Sequence, residues 1–267
     1  MIKKNGWPMI AVAVILVLSA ALFAGGVVSG QKADPSGQAF SLVDGVMTPV
    51  SQGTVIATGK LTASGTCQMP KFTVGGTGDD NRPHGSILVQ FTADCRAVVS
   101  DIIFDQNTMP LELEPNTKFV EPVIVPPTTE RMEQEPQYLL TSVYRGTARA
   151  ANDDIAGIDV THVDAQMSYY DDGSQVYGGY NPSNSWTAAW YFNNLGFGAE
   201  WWPYGTSSVY NASNGSFNMP SWPGGYPYLW HWMETTFTGT PGDYSFTCSF
   251  SGDHIPAGYF ECGGSRQ

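Results

Sequence analysis

Residues 244–262 read YSFTCSFSGDHIPAGYFEC, and this stretch decides the fold class of the chain. Aromatic side chains and Cys248 alternate with serine and threonine over residues 244–251, which is the period of two typical of a strand with one buried face. Turn-forming residues 253–258 separate this strand from a second one that reaches Cys262. We therefore predict a terminal β-hairpin that is stapled by a disulfide between Cys248 and Cys262.

Other segments repeat the same alternation. Ile87, Val89 and Phe91 alternate with polar or isolated apolar residues, and residues 55–59, 98–104, 138–150 and 159–170 also read as strands. Only residues 186–195 could hold a short helix. The pattern predicts an all-β protein, a disulfide-stapled antiparallel β-sandwich of the jelly-roll or immunoglobulin-like kind, either as one sandwich or as two β domains.

The four cysteines are typical of an exported protein. Four cysteines allow three pairings, and the sequence spacings favour Cys67 with Cys95 and Cys248 with Cys262. An even number of cysteines in an exported chain indicates disulfides, whereas a zinc site is disfavoured because no CxxC pair is present. Catalysis by a cysteine is disfavoured as well, because all four thiols are expected to be oxidised.

Residues 1–30 resemble a targeting segment. Lys3 and Lys4 precede an apolar run over residues 9–24, as in a secretory signal peptide, and small residues at 28–30 permit cleavage before Gln31. The alternatives are an uncleaved membrane anchor, since residues 9–30 are long enough to span, and a pilin-type leader cut after Gly6. We expect the folded part to be extracellular or on the cell surface in each case.

The remaining chain divides by composition into three parts. Residues 31–118 form an N-terminal β region, residues 119–137 are rich in proline and glutamate, and residues 138–267 form an aromatic-rich C-terminal β region. A segment rich in proline cannot be a central strand, because proline lacks the backbone donor. Residues 119–137 are therefore either a linker between two domains or a surface crossing within one.

The charge balance excludes several classes of protein. With 24 acidic and 12 basic side chains the formal charge is −12, so the chain lacks the basic surface that nucleic-acid binding requires. The single long apolar run excludes a protein with several membrane spans. After Arg149 the only cation is Arg266, against eleven acids, so we expect those carboxylates to be solvated. Ca²⁺ is the weaker alternative, with these candidate ligands: Asp153, Asp154, Asp171 and Asp172.

Tryptophan and tyrosine are concentrated in the C-terminal region. Seven of the eight tryptophans lie within residues 186–232, interrupted by Gly, Pro, Asn and Ser. Rings held on such segments can stack on sugar rings, although they could also fill the core. The candidate ligand-binding residues are Trp201, Trp202, Tyr204, Trp230 and Trp232. If residues 229–237 form a strand, Trp230, Trp232 and Glu234 share one face.

These features favour an exported, non-catalytic binding protein with a glycan or another cell-surface component as its partner. A structural subunit of a surface layer or filament is an alternative, because exposed aromatic segments could equally pack against neighbouring subunits. A glycoside hydrolase is the third, with Glu234 and Glu200 as its two carboxylates, or Asp164 as the next partner. No GxSxG motif supports a serine hydrolase, and we expect no cofactor.

Overall fold

The computed structural model describes residues 37–105, 142–180, 184–187, 192–199, 202–220 and 228–267. The regular structure of these residues consists of β-strands alone. The strands are β1 (Gln38–Val43), β2 (Val46–Pro49), β3 (Val55–Thr58), β4 (Lys60–Leu61), β5 (Cys67–Asp79), β6 (His84–Phe91), β7 (Arg96–Asp105), β8 (Ser142–Asp153), β9 (Asp159–Asp171), β10 (Val176–Tyr180), β11 (Asn184–Thr187), β12 (Phe192–Ala199), β13 (Trp202–Thr206), β14 (Val209–Met219), β15 (Leu229–Gly239), β16 (Asp243–His254) and β17 (Tyr259–Arg266).

The strands form two antiparallel sheets. The 8-stranded sheet has the order β12-β14-β15-β16-β5-β1-β2, with β4 paired to β5. The 9-stranded sheet has the order β13-β10-β9-β8-β17-β6-β7-β3, with β11 paired to β9. Side chains from both sheets meet in one hydrophobic core. The predicted all-β sandwich is therefore confirmed.

Aromatic side chains from the two sheets interdigitate in this core. Phe250 of β16 lies 5.3 Å from Phe91 of β6 and 5.4 Å from Phe260 of β17, measured between ring centroids. The predicted alternation of β6 and β16 is confirmed, since Ile87, Val89 and Phe91 of β6 and the aromatic residues of β16 are buried. Burial of one face per strand is the reason that serine and threonine occupy the positions between the aromatics.

The predicted terminal hairpin is wrong. Strand β16 pairs with β15 and β5 in one sheet, whereas β17 pairs with β6 and β8 in the other. The alternation showed which face of each strand is buried, but it carries no information about the neighbouring strand. The segment between β16 and β17 therefore crosses from sheet to sheet.

Both predicted disulfides are present, and each joins the two sheets. Cys248 of β16 bonds to Cys262 of β17 across the core. Cys67 at the start of β5 bonds to Cys95, which precedes β7 of the other sheet. Because disulfides persist in oxidising compartments, these bonds indicate that the protein matures in such a compartment.

The two β regions of the sequence share both sheets. Strand β5 pairs with β16 in one sheet, and β6 pairs with β17 in the other. Residues 37–267, where described, belong to one compact unit, Ser36–Gln267. The predicted leader, residues 1–30, and the Pro- and Glu-rich segment, residues 119–137, lie outside the described residues. Within the described part of the chain no helix has the length and apolar character to cross a membrane.

The predicted short helix at residues 186–195 is wrong as well. Its ends lie in strands instead, in β11 (Asn184–Thr187) and in β12 (Phe192–Ala199). Strand β11 pairs with β9, and β12 pairs with β14. These pairings add a long-range stabilisation that the local spacing of Trp186 and Trp190 could not indicate.

Removing the disulfide across the core is expected to destabilise the protein by about 3 kcal/mol, since it would release a loop of roughly 15 residues. The test is urea denaturation of the Cys248→Ala/Cys262→Ala variant against the oxidised protein. The Cys67→Ala/Cys95→Ala variant is the matched control. Cys67 and Cys95 are 28 residues apart in sequence, against 14 for Cys248 and Cys262. Because the longer loop restricts the unfolded chain more, this variant should lose about 0.6 kcal/mol more stability than the first. An unchanged urea midpoint in both variants would contradict this account.

Candidate functional site

One face of β15 points away from the core and carries two tryptophans. Side chains alternate along this strand, with His231 and Met233 buried and the residues between them exposed or half-buried. Trp230 is 41% exposed, while Trp232 and Glu234 are half-buried. The predicted sharing of one face by Trp230, Trp232 and Glu234 is therefore confirmed.

Polar neighbours on both adjacent strands hydrogen-bond to Trp230, one to its ring and one to its backbone. Its indole Nε1–H donates to Oγ of Ser216 on β14 at 3.0 Å. Its backbone N–H donates to the Asp253 carboxylate on β16 at 3.3 Å. Tyr228, which immediately precedes β15, is 52% exposed. Trp230 thus keeps a defined orientation although a large part of its surface faces solvent.

Trp232 lies in a small charged group on the same face. Nζ of Lys71 is 4.6 Å from the centroid of the Trp232 ring and 3.6 Å from Oε2 of Glu234. The ammonium therefore forms a cation–π contact and an ion pair at once. An exposed ion pair adds at most about 1 kcal/mol, so its main effect is to fix both partners. We call Tyr228, Trp230, Trp232, Glu234 and Lys71 the tryptophan platform.

Short uncharged side chains flank the platform. The cross-strand neighbours of its β15 residues, and the next outward position on β16, are serine, threonine or asparagine. They are Asn214, Ser216 and Asn218 on β14 and Thr247, Ser249 and Ser251 on β16. Ser249 is buried and its hydroxyl bonds to that of Thr73 at 2.8 Å, whereas the others carry a hydroxyl or amide that can both donate and accept hydrogen bonds at the surface. The result is a sheet surface with exposed rings in the middle and neutral polar groups on either side.

The other predicted ligand-binding residues do not lie beside this platform. Trp202 and Tyr204 belong to β13, which is at the edge of the 9-stranded sheet. Trp201 lies outside the described residues. The structure therefore brings together Trp230 and Trp232 but not all the tryptophans that the sequence analysis grouped.

Of the two candidate catalytic pairs, only Glu234 with Asp164 lies within the described residues. Glu234 faces outward from the 8-stranded sheet. Asp164 lies on β9 of the 9-stranded sheet, opposite Arg149 on the face away from the core residue Val163. The two carboxylates are thus on opposite outer faces of the sandwich, which excludes the pairing of Glu234 with Asp164 that a hydrolase would need. Glu200 lies outside the described residues.

Two buried histidines are neutral parts of the core. Burial lowers the pKa of His231 to about 3 and that of His254 to about 4. Both imidazoles pack against the ring of Phe250, and Nε2 of His231 lies 2.8 Å from Oγ1 of Thr161. A histidine that stays uncharged between pH 5 and 8 is unsuited to acid–base exchange in that range.

Two of the candidate Ca²⁺ ligands, Asp171 and Asp172, hold turns together. The Asp171 carboxylate accepts the backbone N–H groups of Gly173 at 2.7 Å and Gly242 at 2.8 Å. Hydrogen bonds from the backbone of Gln175 and from Ser174 lower the pKa of Asp172 to about 2. These contacts are typical of Asx turns. Among the described residues, no three His, Cys, Asp or Glu side chains converge as a metal site.

The other two candidate Ca²⁺ ligands differ from each other. Asp154 accepts the backbone N–H groups of Ala156 and Ile158, so it too stabilises a turn. Asp153 is almost completely buried. Burial, with Asp159 and Glu261 as nearby negative charges, raises the pKa of Asp153 to about 7. The expectation that the acids after Arg149 are solvated is therefore wrong for Asp153, and it is wrong as well for Asp164 and Asp171, which are buried.

A charged cluster on β8 and β9 was missed by the sequence analysis. Arg149 donates two hydrogen bonds to the buried Asp164 carboxylate, at 2.8 and 3.1 Å. Nε2 of His162 is 3.7 Å from the same carboxylate, and Nδ1 of His162 is in hydrogen-bond contact with Asp159. The alternation of β9 placed His162 and Asp164 on one polar face. The partner, however, comes from β8 and depends on strand register.

No protein-family model, curated protein or solved structure matches this chain.

Proposed function

We propose that the protein is an exported, non-catalytic carbohydrate-binding protein and that the tryptophan platform is its binding site. The observation that carries this proposal is the exposed ring of Trp230, whose orientation is fixed by the hydrogen bond from its indole N–H to Ser216. Single exposed apolar residues are common, but a contiguous exposed apolar patch indicates an interaction site, and Tyr228 and Trp230 are both exposed next to the half-buried Trp232. Export is supported by the disulfides and by the signal-like character of residues 1–30.

The chemistry of the platform suits a sugar. The apolar face of a pyranose ring can stack on an indole, and its equatorial hydroxyls require neutral donors and acceptors around the ring. Serine, threonine and asparagine supply those groups on β14 and β16. A purely hydrophobic ligand would cover these polar groups without forming hydrogen bonds to them. Such a ligand is therefore disfavoured.

Replacing Trp230 with alanine is expected to weaken binding to a soluble polysaccharide by about tenfold or more, because a central aromatic contact is worth at least about 1.4 kcal/mol. Affinity electrophoresis in gels that contain β-glucan, β-mannan or α-glucan measures the effect. Ile158→Ala is the control, because Ile158 is 60% exposed and lies in the turn before β9. Equal retardation of the two variants would contradict the proposal.

A role in assembly is a second candidate function, and one observation favours it. Strand β2 is the edge of the 8-stranded sheet, and all four of its residues are exposed, including Val46 and Met47. An exposed edge strand can pair with another chain. Concentration-dependent self-association without any sugar, measured by size-exclusion chromatography and lost in a Val46→Lys variant, would support assembly instead of glycan binding.

A hydrolytic role has less support. Glu234 is engaged by Lys71, and its pairing with Asp164 is excluded by their placement on opposite faces. We therefore expect no release of reducing ends from any polysaccharide that the protein binds.

A further inference from the structure

The aromatic residues of the tryptophan platform follow the direction of one strand. Tyr228, Trp230 and Trp232 occupy every second position at the start of β15. A strand rises about 3.3 Å per residue, so the positions of Tyr228 and Trp232 are roughly 13 Å apart. That span is longer than a single sugar ring, so one ring could not contact all three aromatics.

The polar flanks extend in the same direction. Residues at successive outward positions of β14 and β16 lie opposite Trp232, Glu234 and Thr236. A chain that lies along β15 over Trp230 and Trp232 therefore meets Asn218 and Ser216 of β14 on one side and Ser251 of β16 on the other. A chain that crosses the strands would contact one aromatic ring at most and would leave the others in solvent.

The charges of the platform disfavour an anionic ligand. Strands β14, β15 and β16 contain no lysine or arginine, whereas Glu234 and Asp253 bring carboxylates to this surface. The nearby ammonium of Lys71 is already paired with Glu234. The chain as a whole has a formal charge of −12. Uronate or sulfate groups would therefore be repelled, while neutral hydroxyls would not be.

We infer that the tryptophan platform binds a neutral, linear polysaccharide that lies along β15 and spans several sugar units. This inference rests on the proposed function and adds to it the class of ligand, its charge and its direction. Affinity should rise with the number of sugar units until the chain covers Tyr228 to Trp232. The gain beyond that length should be small, because further units meet no aromatic ring.

Calorimetric titration with oligosaccharides of one to six units tests this inference. The probes are β-1,4-glucan, β-1,4-mannan and α-1,4-glucan oligomers, with oligogalacturonates of equal length as the anionic series. We expect at least one neutral series to gain tenfold or more in affinity from one unit to four, and the oligogalacturonates to bind at least tenfold more weakly. The Tyr228→Ala variant should lose several-fold in affinity for the longest neutral oligomer. Thr238→Val, at the distant end of β15, should lose none.

The outcomes distinguish a failure of this inference from a failure of the proposed carbohydrate-binding function. If no carbohydrate binds, both fail. If a neutral monosaccharide binds as tightly as its hexamer, or if Tyr228→Ala and Thr238→Val behave alike, the platform still binds sugar but the extended orientation is wrong. If oligogalacturonates bind more tightly than every neutral series, the assignment of a neutral ligand is overturned.

Discussion

Replacing Arg266 with methionine is expected to destabilise the protein by about 3–5 kcal/mol, because the buried carboxylate of Asp171, 3.9 Å from Nη1 of Arg266, would lose its cation. The Arg266 side chain is fully buried. It donates hydrogen bonds to the backbone carbonyls of Gly242, at 2.9 Å, and Asp243, at 3.1 Å, and to the Asp80 carboxylate. Its guanidinium carbon also lies 4.1 Å from the centroid of the Tyr144 ring.

These partners come from distant parts of the chain and from both sheets. Asp80 follows β5, Tyr144 is on β8, and Gly242 precedes β16. Although burial opposes its charge, contacts with Tyr169 and Asp80 raise the pKa of Arg266 above its ordinary value. Methionine would fill part of the volume but would leave the carbonyls without their donor, and an unsatisfied buried acceptor costs about 1–3 kcal/mol.

Equilibrium denaturation in urea measures the loss. Arg96→Met is the matched control, because Arg96 is about half exposed and pairs only with the exposed Asp94. A surface pair of that kind should contribute less than about 1 kcal/mol. If Arg266→Met costs no more than Arg96→Met, the buried network does not stabilise the fold as we argue.

The free energy of unfolding is expected to fall as the pH rises from 5 to 8, because the buried Asp153 loses its proton in this range. Its pKa is about 7 in the folded protein against an ordinary value of 3.8. The folded state therefore binds a proton that the unfolded state has already released between these two values. Stability is fully present below pH 3.8 and falls as the pH rises to about 7, by about 4 kcal/mol in all, of which about 3 kcal/mol falls between pH 5 and pH 8.

The Asp153→Asn variant isolates this contribution. Asparagine cannot ionise, so it should be more stable than the wild-type protein at pH 8 and should show a flatter dependence on pH. Urea midpoints of both proteins at half-unit intervals between pH 5 and pH 8 give the difference. Asp101→Asn is the control, since Asp101 is exposed on β7 and its replacement should leave the slope unchanged. The same dependence of stability on pH in the wild-type protein and in the variant would contradict the raised pKa.

The sequence alone predicted the faces of individual strands well. The alternation in β6 and β16 identified the buried residues, and the alternation in β15 placed Trp230, Trp232 and Glu234 on one face without deciding whether that face is buried. The disulfide pairings were also found, because each joins cysteines that are close in sequence. Both properties are local, since the alternation of a strand depends only on which of its two faces is removed from water.

The same sequence could not determine which strands are neighbours. Strands β16 and β17 have the appearance of a hairpin but lie in different sheets. Lys71 reaches Trp232 and Glu234 only because β5, β16 and β15 are adjacent. Strand order depends on which faces pack most completely against one another across the whole core, and that choice is made by contacts between residues far apart in the chain.

The sequence therefore determined an all-β protein with strands of alternating polarity, two disulfides and an aromatic-rich C-terminal region. Only the tertiary structure decided that the disulfides join the two sheets, that Arg149 and Arg266 neutralise acids which looked solvated, and that one outward face combines exposed rings with neutral polar groups. The physical reason is that the alternation of buried and exposed residues is a property of a single strand, whereas ion pairs and binding surfaces depend on strand order and register.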